Sequence, residues 1–174
     1  MRNRNYNTLY IKEKMTIKRF FIFIVFIIAS LSCFGQKVIQ LTKQNGVYTI
    51  PCSINGIKRS LIFDTGASTV TISMKLANLL YSMGKLKDAD FKGFGRSQTA
   101  SGHIVNNMSI VLRNIEIEGL HLKNVDAVIL KGQNVPLLLG LSAIQKLGKI
   151  TLSGNKLVID TSTLDNLRLS SVRT

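Results

Sequence analysis

The sequence predicts an all-β domain with one or two short helices. Three observations carry that expectation: apolar residues alternate at period two through most of residues 47–160, tight-turn signals separate the runs, and only two stretches shift to helical spacing. With 174 residues, 45% of them hydrophobic, the chain suits one domain with a real core and has little room for two.

Tyr48, Ile50, Cys52 and Ile54 fall on one face of a strand. Asn55-Gly56 follows between Ile54 and Ile57, a strong hairpin signal because both central positions of a type I′ turn take positive φ. The returning strand, residues 57–63, delivers Asp64 at its end. Leu61-Ile62-Phe63 reads as a strand buried on both faces. An ionised carboxylate at the end of such a strand is costly unless donors or a shared proton compensate, so Asp64 has a partner or a job.

Residues 69–72 are again strand-like, and Ser73 then caps a helix whose apolar positions are Leu76, Leu79, Leu80 and Met83. Gly84 stops this helix, which is expected to pack beneath the Asp-bearing loop. Residues 85–92 read as a charged, irregular surface connection. Residues 91–104, rich in Gly and small polar residues, read as a mobile hairpin; no Gly-Lys-Ser or Gly-Lys-Thr is present to make a phosphate loop. Met108, Ile110, Leu112, Ile115, Ile117, Leu120 and Leu122 form a second meander about Glu118-Gly119, and residues 125–130 add a strand. Leu137-Leu138-Leu139-Gly140 leads into a short helix that Gly148 ends. Residues 149–152 and 156–160 close the domain as a hairpin around Ser153-Gly154-Asn155, ahead of a polar C-terminal tail, residues 161–174.

The N-terminal stretch, residues 1–35, reads as an extension and signal peptide. Lys18-Arg19 precede an apolar run at residues 20–28, followed by the small residues Ser32, Cys33 and Gly35. The run is about half of the roughly 20 residues a spanning helix needs. Cleavage is expected after Gly35, giving an exported protein, periplasmic or secreted, with its domain at residues 36–160. Cys33 offers a rival lipidation site, but Ser30 stands where such boxes usually carry Leu. A membrane partner is expected only if Cys33 is lipidated or the signal stays uncleaved. Met15 sits where a typical signal peptide would begin, so the start at Met1 competes with one at Met15.

Removing the signal leaves 17 basic and 8 acidic side chains, a net charge of +9. The cations are scattered singly without aromatic interleaving, so no nucleic-acid partner is expected. Cys52 would be the only remaining thiol, which excludes an internal disulfide and favours a small buried hydrophobe over a nucleophile. His103 and His121 lie in unlike settings with no acid or Cys at ligand spacing, so neither a metal site nor a Ser-His-Asp triad is supported, and no cofactor is expected.

The two halves share an order of meander, buried apolar strand, glycine, helix, glycine, yet only the first carries an acid. Residues 61–72 resemble the active-site signature of the retropepsin-like aspartic peptidases: three apolar residues, Asp64-Thr65-Gly66-Ala67-Ser68, then alternating apolar positions. Leu138-Leu139-Gly140 before a short helix resembles that family's second landmark. The resemblance implies one acid-protease barrel lobe per chain and an aspartic endopeptidase acting on polypeptides as a homodimer. Asp64 from each subunit would flank a water, one ionised and one protonated, because two like charges so close cannot both ionise. Thr65 hydroxyls would bond across the interface, Gly66 N–H groups would donate to the acids, and Ala67 and Ser68 would complete the support. A flap at residues 98–104, centred on Ser101-Gly102 and including Thr99, would close over substrate. Ser68 and Leu141 replace the Asp and Arg whose ion pair braces viral relatives. An alternative is a binding or assembly module of the same fold without proteolytic activity.

Overall fold

The computed structural model describes residues 35–160 except 100 and 133. Sequence reading of the leader, Cys33, Met15 and the tail at residues 161–174 lies outside the described residues.

The chain opens with β1 (Gln36–Gln40) and β2 (Thr42–Gln44), then β3 (Val47–Ile54) and β4 (Ile57–Phe63). Asn55 and Gly56 join the last two at φ 46° and 85°, the conformation the Asn-Gly pair favours. Asn55 also clamps its surroundings. Its Nδ2 donates to the Lys85 carbonyl at 2.7 Å and its Oδ1 accepts from the Asn114 N–H at 3.0 Å.

After the Asp-bearing loop come β5 (Val70–Ser73) and helix α1 (Met74–Ser82). Ser73 caps the helix, its Oγ accepting from Leu76 N–H at 3.3 Å, and Gly84 at φ 64° follows its end. Helix α1 packs on β5 and on β8 (Leu120–Leu130) through Leu76, Ala77 and Leu80. Leu79 and Met83, expected on that face, are instead exposed. Leu79 sits roughly a quarter-turn off the narrow stripe, and Met83 lies beyond the last helical residue.

The segment from Gly84 to Asp90 is also firmer than its charge suggests. Leu86 is buried, and the N–H groups of Lys85 and Leu86 both reach the Leu80 carbonyl. Arg113 grips Asp90 bidentately, Nε to Oδ1 at 2.9 Å and Nη2 to Oδ2 at 2.6 Å. That guanidinium, helped by the Lys87 N–H, holds the Asp90 carboxyl below the usual carboxylate range.

Strands β6 (Phe91–Gln98), β7 (Ile104–Ile117) and β8 form a long meander. The eight-stranded sheet runs β2-β3-β4-β9-β5-β8-β7-β6, where β9 is Leu138–Leu139. Pairing of Ser53 with Glu116 and Ile54 with Ile115 curls β3 back onto β7 and closes the lobe. A 3-10 turn, Gln145–Leu147, ends at Gly148, and β10 (Ile150–Ser153) and β11 (Lys156–Asp160) follow. β11 lies between β10 and β1, so the two ends of the domain share one small sheet.

Ile50, Ile54, Leu61, Ile72, Leu80, Ile110, Leu112 and Ile115 fill the interior. Cys52 lies in the same core, and burial pushes its thiol up to about 12, the behaviour of a packed hydrophobe rather than a nucleophile. The strand before Asp64 is less dry than its composition suggests: Leu61 is fully buried, whereas Ile62 and Phe63 are half-buried as the chain turns out to the exposed loop.

Candidate active site

Strand β9 is two residues long and fits between the strands on either side of the Asp-bearing loop. It runs parallel to β4, pairing Ile62 with Leu138 and Phe63 with Leu139, and antiparallel to β5, pairing Leu138 with Thr71. The Asp64 N–H donates to the Leu139 carbonyl at 3.2 Å. The loop of residues 64–69 therefore crosses the end of β9, and its acid and its support come from opposite halves of the sequence.

Gly140 makes that crossing possible. A Cβ built on it would lie 2.2 Å from the Thr69 carbonyl oxygen and 2.7 Å from that of Ala67, distances at which no side chain fits. Helix α2 (Leu141–Ile144) begins at once, and its first free N–H groups are aimed at the loop. Leu141 N–H donates to the Ala67 carbonyl at 2.8 Å and Ser142 N–H to that of Ser68 at 3.0 Å. The loop is thus tied to α2 by main-chain bonds. The helix that grips it is α2, whereas the sequence pointed to α1.

Ser142 completes the tie. Its Oγ donates to the Asp126 carbonyl at 2.7 Å and accepts from the Val70 N–H at 3.0 Å, linking α2 to β5 and β8. Sequence reasoning passed over this residue. Its signal is a small hydroxyl in the first turn of a helix that starts at a buried glycine.

Within the loop, Asp64 is half-buried and its Oδ1 accepts from the Gly66 N–H at 2.9 Å. Thr65, Gly66 and Ser68 are exposed, and Ala67 is half-buried. The carboxylate is held in one orientation by the backbone two residues on, yet it remains open to solvent on an exposed loop. The corresponding place at the end of β9 is Leu139-Gly140, both buried and neither ionisable. The described residues present one such acid. Among the described residues no cluster of His, Cys, Asp or Glu could hold a metal ion.

Thr99, Ser101 and Gly102 sit at the tip of the β6–β7 hairpin. Thr99 N–H donates to the His103 carbonyl at 2.9 Å, and Gly102, at φ 85°, donates to the Thr99 carbonyl at 2.8 Å. Ser101 Oγ stands 3.0 Å from Thr99 Oγ1 and 2.9 Å from His103 Nδ1, a polar network that gives the tip a defined shape. Pairing of β7 with β8 stops at Asn107, so the hairpin beyond it is a two-stranded ribbon.

This arrangement is that of a retropepsin-like lobe. A crystal structure of a retropepsin-like aspartic protease from Rickettsia conorii superposes with a TM-score of 0.54 at 24% identity, over 72% of this chain and 98% of that one. The family model described as "gag-polyprotein putative aspartyl protease" matches residues 50–146, which hold both Asp64 and Gly140, and the chain belongs to that family. No curated protein matches the sequence.

Proposed function

We propose that the protein is an aspartic endopeptidase that becomes competent as a homodimer, with Asp64 of each chain forming the catalytic pair. The observation that carries this reading is the loop itself: one oriented, accessible carboxylate per chain, braced by Gly140 and α2, with nothing ionisable in the matching place of the second half. A two-fold axis beside Asp64 supplies the missing acid from an identical surface.

In this mechanism the ionised Asp64 takes a proton from the bound water as its oxygen attacks the peptide carbonyl. The protonated Asp64 gives its proton to the carbonyl oxygen, forming a tetrahedral diol. The leaving nitrogen is then protonated by the carboxyl that accepted the water's proton, while the other carboxylate takes a proton from a diol hydroxyl. The C–N bond breaks to give a carboxylic acid and an amine, with the one-proton pair restored. Thr65 hydroxyls bond between subunits and hold the acids coplanar. Thr99, Ser101 and Gly102 lie on the flap that covers the substrate and sheds water. The chain works outside the cytoplasm, as a domain of residues 36–160 released by cleavage after Gly35.

A peptide-library digest with wild type and Asp64→Asn in parallel tests this. Wild type is expected to cleave and to be inhibited by a statine peptide, while Asp64→Asn keeps its fold and loses activity about 1,000-fold or more. Undiminished cleavage by the Asn variant overturns the reading, as does a species that stays monomeric with inhibitor present.

A further inference from the structure

The hairpin end of the β6–β7–β8 sheet is basic, while Asp126 on β8, opposite Val111, and Asp90 just before β6 place carboxylates further back. Glu116 and Glu118 sit at the β7–β8 turn, whereas residues 91–115 contain no carboxylate. Towards the hairpin Arg96 lies on β6 and Lys131 follows Leu130, the β8 residue paired with Asn107, while Lys92 stands at the start of β6, in the bulge between Phe91 and Gly93. All three cations are exposed.

The register sorts the ribbon into two faces. Phe94 pairs with Met108, Arg96 with Asn106 and Gln98 with Ile104, so Phe94, Arg96 and Ile104 share one side. On that side Phe94 is 83% and Ile104 68% exposed, the two most exposed large apolar side chains among the described residues. The other side turns inward, with Asn107 only 6% exposed. A ring at the root of the two-stranded ribbon, and a branched aliphatic group and a guanidinium on the ribbon itself, are thus left open on one face.

We propose that this outer face is an exosite for an acidic polypeptide segment with interspersed apolar side chains. Carboxylates pair with Arg96 within the field of Lys92 and Lys131, while apolar groups cover Phe94 and Ile104. A bilayer fits less well, because the ribbon's leading edge is Thr99, Ser101, Gly102 and His103, and insertion would drag Arg96 towards hydrocarbon. A second copy of the same face would set cation against cation. Taking the segment to be part of the substrate rests on the peptidase reading; binding itself does not.

The test uses Asp64→Asn protein and labelled peptides of equal apolar content carrying acidic, neutral or basic residues, read by anisotropy. The acidic peptide is expected to bind about fivefold tighter than the neutral one, less so at high salt. Lys92→Glu/Arg96→Glu should weaken acidic binding about tenfold with an unchanged melting temperature, and Phe94→Ser should weaken acidic and neutral peptides alike. Charge-indifferent binding overturns the proposal, as does binding to phosphatidylglycerol vesicles without binding to the acidic peptide. In active protein the same charge reversal should raise KM for acidic substrates and leave kcat unchanged. Intact acidic binding without any cleavage would retire the peptidase reading and keep the exosite.

Discussion

The two strand–glycine–helix units of this lobe start from similar text and end in different roles. In the first, Asp64-Thr65-Gly66 leaves β4 on an exposed loop, and the glycine N–H serves the carboxylate. In the second, Leu139-Gly140 leaves β9 inside the protein, and the glycine is there because the Thr69 carbonyl occupies the space a side chain would need. Two glycines in matching places therefore do unlike things: Gly66 orients a carboxylate and Gly140 permits packing.

The sharpest way to break the comparison is to add one methyl group to each. Gly140→Ala forces a Cβ onto backbone atoms that cannot swing aside, and should cost about 3 kcal/mol or more in urea unfolding. Retention of wild-type stability would mean that the loop and α2 are not locked together. Ser142→Ala, which strips partners from the Val70 N–H and the Asp126 carbonyl, should cost about 1–2 kcal/mol in the same measurement. Gly66→Ala should behave oppositely to Gly140→Ala. The new Cβ would lie 3.2 Å from Asp64 Oδ1, so stability should stay within about 0.5 kcal/mol while peptide cleavage falls roughly tenfold.

The smallest effect lies away from both units, at Asp90. Its carboxyl is held low by Arg113, so the pair contributes stability above the ordinary carboxylate pKa and loses it as pH falls through the depressed folded-state value. Asp90→Asn should lower the melting temperature by roughly 2 °C at neutral pH. That gap should close in strong acid, below the ordinary carboxylate range.

Much of this architecture is legible in the sequence because its signals are local. Asn55-Gly56, Ser73, Gly84 and Gly148 each act within a few residues, and the alternation of Ile50, Cys52 and Ile54 states which face is buried. The Asp64 loop is legible for the same reason. Partners across the chain are not, because period two reports a face and never a neighbour. Nothing in Leu138-Leu139 announces that it separates β4 from β5, and nothing in the first strand announces that it pairs with the last. Ser142 and the Asp90–Arg113 pair were missed on the same ground, since each acts on residues distant in sequence. Leu79 and Met83 mark another limit, where apolar spacing outruns the surface available to cover it.

Cys52 provides a built-in stopwatch for the whole lobe. Its thiol is buried and burial pushes its pKa up to about 12, so an alkylating reagent meets little thiolate until β3 leaves the core. The rate at which Cys52 is labelled, followed by peptide mass mapping, then measures how often the closed sheet opens. Any ligand that clamps the lobe should slow that labelling without touching the sulfur itself.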